Sequence, residues 1–129
     1  MQSHDPNEFL DEWAKRVGER DLEGVLGMYD PAAVLIPTFS NRLYSGRDRI
    51  REYFEVLCSR DGLAISLHAK PRLVTPLDDG RHALAGIYRW RFAVDDEPLD
   101  FEARFSFLLD FGRAAPILHH HSSQIPRTL

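Results

Sequence analysis

Apolar positions recur at helical spacing in the first half of the chain and alternate in the second. Phe9, Leu10, Trp13 and Val17 form one stripe of a helix, with Glu12, Lys15 and Arg16 outside it. The preceding Asp5-Pro6-Asn7-Glu8 reads as a helix start: Asp5 caps, Pro6 suits the first turn, and Glu8 reaches back to the cap. Gly18 interrupts the pattern, Asp21 caps a second short helix, and Leu22, Val25, Leu26 and Tyr29 continue the spacing. Asp30-Pro31 reads as a turn, and Ala33 to Ile36 as a short edge strand ended by Pro37. Gly46 precedes a third helix, with Ile50, Tyr53, Phe54 and Leu57 on one face and Arg47, Arg49, Arg51, Glu52 and Glu55 on the other.

From Leu63 onward the period becomes that of strands. Turn signals at Asp78-Asp79-Gly80, Asp95-Asp96-Glu97-Pro98 and Asp110 to Gly112 divide the remainder into four strands, near residues 63 to 75, 82 to 94, 99 to 110 and 116 to 124. Short connections make neighbours antiparallel. Helices first and a long meander afterwards predict one α+β domain over residues 1–129, its helices packed on one face of a curved antiparallel sheet.

Side chains alternate along a strand, so parity sorts them. Tyr88, Trp90 and Phe92 share one side of their strand; Ile87, Arg89, Arg91 and Ala93 share the other. Phe101, Ala103, Phe105, Phe107 and Leu109 make a solidly apolar side opposed by Glu102, Arg104, Ser106 and Leu108. Both sides carry large or amphipathic groups, so the second is expected to meet either another subunit or a cavity.

The chain has 129 residues, 28% of them charged, and a net charge of -4. Without a basic block it lacks the field that drives phosphate-backbone binding, so no nucleic-acid partner is expected. No apolar run approaches the ~20 residues of a membrane span, and the N-terminus has no signal-like core, so the expected setting is cytoplasmic, with no membrane partner. Cys58 is the single cysteine and reads as a small core residue in a reducing compartment. No phosphate loop, nucleotide fingerprint or Ser-His-Asp arrangement occurs, and no cofactor is expected.

That leaves "LHHHSSQIP", Leu118 to Pro126. Parity puts Leu118, His120 and Ser122 on one side and His119, His121 and Ser123 on the other. His119 and His121 stand where two metal ligands could, yet two are too few and no second cluster accompanies them. A purification-tag remnant fits the surrounding strand residues poorly.

"LYSGRDRIREYFEVLCSRD" (Leu43 to Asp61), "GIYRW" (Gly86 to Trp90), "FEARFS" (Phe101 to Ser106) and the His-x-His-x-Ser-x-x-Pro ending, in this order and spacing, resemble the association (hub) domain of calcium/calmodulin-dependent protein kinase II, within the nuclear transport factor 2-like, SnoaL-like superfamily. The resemblance implies a cone: three N-terminal helices wrapped by a strongly bent sheet, with a deep pocket between them. Arg89 and Arg104 match the family's pocket arginines. No kinase domain or calmodulin-binding segment accompanies them, so neither kinase activity nor calcium response carries over. A histidine frequent in the family's second strand falls near Ile65, with His68 three residues on.

The first expectation is therefore a stand-alone hub-like domain that self-associates, as a homodimer or larger ring, and binds a small acidic ligand through Arg89, Arg104, His119, His121, Tyr53, Glu102, Ser123 and Trp90. Two converging guanidiniums favour a carboxylate. Arg and Glu paired with each other as a structural network is the competing account of the same residues. The alternative is a ketosteroid isomerase-like or SnoaL-like enzyme acting on a small carbonyl substrate, with His119 or His121 as base and Tyr53 or an arginine as donor.

Overall fold

The computed structural model describes residues 4–128, and among them three helices precede most of a six-stranded sheet. Helix α1 (Pro6–Gly18) starts where Asp5 accepts a hydrogen bond from the Asn7 amide at 2.9 Å, with Pro6 in its first turn. It buries Phe9, Leu10, Trp13 and Val17, the stripe its spacing predicts. Helix α2 (Leu22–Leu26) is capped by Asp21 through the Gly24 amide. Helix α3 (Arg47–Cys58) has no side-chain cap; its N-cap is Gly46 at φ 90°, a backbone conformation that side chains disfavour.

The strands are β1 (Tyr29–Ile36), β2 (Tyr44–Ser45), β3 (Asp61–Pro76), β4 (Arg81–Val94), β5 (Glu97–Asp110) and β6 (Ile117–Gln124), in the order β2-β1-β6-β5-β4-β3. All neighbours are antiparallel except β1 and β6. Register shifts in β1, β3 and β6 bend the sheet around the helices. The β4–β5 hairpin closes through Asp95 and Asp96, both at positive φ (51° and 65°), as a two-residue turn between paired strands requires.

Three readings need correction. Tyr29 does not continue α2: it opens β1 and is fully buried. Asp30-Pro31 lies within that strand, where the pairing with β6 shifts register. β1 is not the sheet edge, because β2 pairs beyond it at Val34 and Leu35. Among the described residues, no helix is long and apolar enough to cross a membrane.

The helices cover one side of the sheet. Leu84, Tyr88, Trp90, Ala103, Phe105, Phe107, Leu109 and Ile117 face them, and Trp13 is fully enclosed between α1 and β4–β6. A core of this aromatic content is consolidated by edge and stacked ring contacts; Tyr88 lies 4.7 Å from Phe105 and Phe107 lies 3.9 Å from His120, centroid to centroid.

Candidate functional site

At the open end of the cone, α3 and the β1–β2 connection stand away from the β4–β5 hairpin and leave a hollow of about 370 Å³. Its walls are Phe39, Tyr44, Tyr53, Val56 and Leu57 on one side and Phe92, Val94, Leu99 and Phe101 on the other. Ser40, Glu52 and Arg60 supply the polar groups of its lining. α3 turns Tyr53, Val56 and Leu57 inward because they lie three and four residues apart. Val56, 53% exposed, forms part of the lip. An apolar, ring-lined hollow of this size with a few polar groups has the character of a small-molecule site.

Below the hollow lies a second, far smaller space of about 10 Å³, and Tyr53 belongs to the walls of both. Thr38, Tyr88, Trp90, His120 and Ser122 surround it. Here the strand alternation places the one inward histidine of the run. His120 pairs with Phe107 across β5–β6 and is 3% exposed. Its Nδ1 lies 2.9 Å from the Tyr29 hydroxyl and its Nε2 3.2 Å from the Tyr88 hydroxyl. The Trp13 indole donates to the Tyr29 oxygen at 3.2 Å. Thr38 and Ser122 hydrogen-bond each other.

Burial dominates the electrostatics of this cluster. It holds the His120 imidazolium pKa down to about 3, with the nearby charges of His119 and His121 acting in the same direction. The ring is therefore neutral at ordinary pH. Burial likewise pushes the Tyr29, Tyr53 and Tyr88 phenols up, so none of them ionises near neutrality. The Trp90 Nε1 is buried and finds no hydrogen-bond acceptor among the described residues.

The predicted site residues divide between the two sides of the sheet. Tyr53 and Trp90 are on the helix side, at the hollow and at the small space beneath it. Arg89, Glu102, Arg104, His119, His121 and Ser123 are not: they point to the outer side, away from the helices, and do not converge in the hollow. Arg89 forms a bidentate pair with Asp100 at 2.6 Å for both contacts, and Arg91 approaches the same carboxylate at 3.4 Å. Glu102 binds His68 at 2.8 Å. Arg104 stands opposite Ser123, and His121 opposite Ser106, on the outer surface.

The physical reason is the direction of the apolar face. Phe101 through Leu109 supply the only surface of β5 able to pack on helices, and parity then turns Glu102 and Arg104 outward. His119 and His121 follow because His120 is registered with Phe107. A base at His119 or His121 and a donor at Tyr53 thus lie on opposite sides of the sheet, whereas Arg89 and Arg104, the alternative donors, share the outer side with those histidines, away from the hollow. His120, on the correct side, is too weak a base to be poised near neutral pH. Cys58 is partly exposed rather than a core residue, and burial pushes its thiol pKa up, away from a reactive thiolate.

The walls Phe39, Phe92, Leu99 and Phe101 and the inner residues Thr38, His120 and Ser122 were not singled out from sequence as site residues. The usable signal was the apolar side of β4 and β5: polar residues sharing its parity, His120 and Ser122, are the exceptions that mark a buried polar centre.

Hollow, bent sheet and three leading helices together define the nuclear transport factor 2-like α+β cone, also described as cystatin-like. Residues 7–128 match the family model of the SnoaL-like domain, and the chain belongs to that family. A Xanthomonas campestris protein, provisionally described as a calcium/calmodulin-dependent protein kinase II association domain, is similar at 27% identity and a TM-score of 0.83, covering 95% of this chain and 86% of that one. A Streptomyces avermitilis protein provisionally described as a dehydratase of the nuclear transport factor 2-like family shares the fold at 10% identity and a TM-score of 0.79, covering 94% of each chain. The epoxide hydrolase/cyclase-like enzyme SalBIII, of pyran ring formation in the polyether salinomycin, does so at 17% identity and a TM-score of 0.74, covering 92% of this chain and 89% of that one. No curated protein matches the sequence.

Proposed function

We propose that this SnoaL-like domain is a binding module for a small, ring-bearing apolar molecule, held in the hollow between α3 and the β4–β5 hairpin. The observation that carries the reading is the hollow itself: about 370 Å³, with five phenyl or phenol walls at Phe39, Tyr44, Tyr53, Phe92 and Phe101. An acidic group on such a ligand meets Arg60 at the wall; among the described residues Arg60 makes no ion pair. This relocates the small acidic ligand expected from Arg89 and Arg104 to the other side of the sheet. Binding to the native state raises the unfolding midpoint by mass action. Thermal unfolding with 2-naphthoate should show a concentration-dependent rise that Val56→Asp, at the exposed lip, weakens and Arg104→Ala, on the outer side, leaves unchanged. Absence of any rise with 2-naphthoate or naphthalene would overturn the reading.

The hub-like part of the proposal, self-association, rests on the outer side of the sheet. Alternation along the strands places Val34, Ile36, Ile87 and Leu108 there, beside His119, His121 and Arg104, and a shallow groove of about 200 Å³ runs between Pro71, Leu73, Ile87 and Arg104. A second copy of the chain is the proposed occupant.

A further inference from the structure

Successive residues of the β1–β2 connection face opposite ways. Thr38 lines the small inner space and Phe39 lines the hollow. Tyr29 and Tyr88 both meet His120 in the interior, Tyr88 also meets Thr38 and Ser122, and those two hydroxyls bond each other. The hydroxyls and the imidazole of the inner space are thus engaged with one another, as buried polar groups are expected to be. Phe39 stands between this cluster and the hollow. Trp90 lines the inner space and not the hollow, and the Phe39 ring meets it edge-on at 5.9 Å. The same ring meets Phe92 edge-on at 5.0 Å and Phe101 at 5.4 Å, so it reaches the opposite wall. Its place is fixed from both sides: Thr38 is tied to β6 through Ser122, and the Tyr53 oxygen on α3 accepts a hydrogen bond from the Phe39 backbone. Beyond it, Ser40 is bonded to the Tyr44 hydroxyl at 3.0 Å.

We infer that Phe39 is the specificity-determining residue of the hollow: it seals off the polar centre and gives a ligand an apolar floor, so the site takes a ring carboxylate with its ring innermost and its acid group at Arg60, and rejects one whose far end is polar. This deepens the binding reading above and rests on it. A hydroxyl on the inner end of such a ligand would leave water to lie against Phe39, Phe92 and Phe101, whose side chains offer it no hydrogen bond. Tyr53 turns its hydroxyl to the Phe39 backbone instead. At the other end Arg60 supplies a guanidinium, a strong partner for a carboxylate. The same partition keeps His120 and Tyr88 out of a ligand's reach, which suits a module that holds its ligand unchanged.

Three probes of one skeleton separate this inference from the reading beneath it: 2-naphthoate, 6-methyl-2-naphthoate and 6-hydroxy-2-naphthoate. Calorimetric titration of the wild type should find the methyl compound bound at least as tightly as the parent. The hydroxyl compound should bind about fivefold to hundredfold more weakly, the cost of burying one hydroxyl without a partner. Phe39→Ser, which opens the inner space to the hollow, should bring the hydroxyl compound within about twofold of the parent, whereas Phe39→Leu, which keeps an apolar floor, should preserve the preference. In the wild-type protein, nuclear Overhauser contacts should run from the far-ring protons of 2-naphthoate to Phe39 and to neither Thr38 nor His120, a readout that depends on no variant folding. Equal binding of the methyl and hydroxyl compounds, a contact with Thr38 or His120, or a preference that survives in Phe39→Ser overturns the seal and leaves the hollow standing. Failure of all three probes to bind the wild type overturns the hollow and the seal together.

Discussion

His120 shows how one residue's burial becomes a property of the whole protein. Enclosed against Phe107 and Trp13, its ring resists protonation until the pH reaches about 3, whereas an ordinary histidine titrates at 6.5. Between those values the unfolded chain takes up a proton that the native chain refuses. Stability is therefore unaffected above about pH 7 and falls as the pH drops through 6.5 toward 3, by up to about 1.4 kcal/mol per pH unit. Unfolding free energies from urea titrations at pH 7.0 and 5.5 should differ by about 1 kcal/mol more in the wild type than in His120→Gln, which keeps a polar group but does not titrate. Identical pH dependence in the two would refute a neutral buried ring. Parity in the sequence already separated His120 and Ser122 from His119, His121 and Ser123. It did not say which set turned inward, and the resemblance to an arginine-lined pocket pulled the choice to the wrong side. Ser122 and the apolar parity of β5 were the better guide, since a strand facing helices must present its phenyl groups to them.

At the scale of elements, helical spacing and turn residues carried most of the information. The periodic stripes of α1 and α3 are buried as read, and the four long strands lie within three residues of their expected bounds at either end. What failed were features whose cause is distant in sequence. β1 pairs in parallel with β6, some ninety residues away, and that partner draws Tyr29 and Pro31 into a strand where local signals indicated helix and turn. A register shift near Leu118 likewise puts Ile117, not Leu118, in the fully buried position. Gly86 in β4 is another long-range requirement. It faces Phe105 on β5, and a Cβ added there would lie 2.7 Å from the ring's Cζ and 3.3 Å from the Pro71 carbonyl oxygen. The ring cannot yield freely, because it stacks on Tyr88. Gly86→Ala should accordingly lower unfolding free energy by about 1–3 kcal/mol, the usual cost of overpacking a core. Chemical denaturation measures it directly, and wild-type stability in Gly86→Ala would show that the β4–β5 packing is looser than drawn here.

For the molecule as a whole, the decisive asymmetry is that helices cover one side of the sheet and, among the described residues, no element covers the other. The covered side supplies both the hollow and the buried His120 cluster beneath it. The outer side holds charged pairs such as Arg89–Asp100 and His68–Glu102 at one end, where solvent can reach them, and such exposed pairs contribute little to stability. Toward β1 and β6 it becomes mixed, with Val34, Ile36, Leu108 and Ile87 interleaved among His119, His121 and Arg104, while Leu73 on β3 is 63% exposed. Apolar groups on an antiparallel sheet face with no helix above them favour a second sheet, because burial returns about 25 cal/mol for each Å² removed from water. Symmetry makes a second copy of the same face the simplest partner, with each protomer offering its surface to the other. Sedimentation velocity at micromolar concentration should therefore yield a dimer or larger species. Ile87→Asp, which places a carboxylate in the middle of that face, should shift it to monomer while 2-naphthoate still raises the unfolding midpoint, because the hollow lies on the far side of the sheet. A wild-type protein that sediments as monomer throughout would remove self-association, and a dimer unmoved by Ile87→Asp would transfer the interface to another surface.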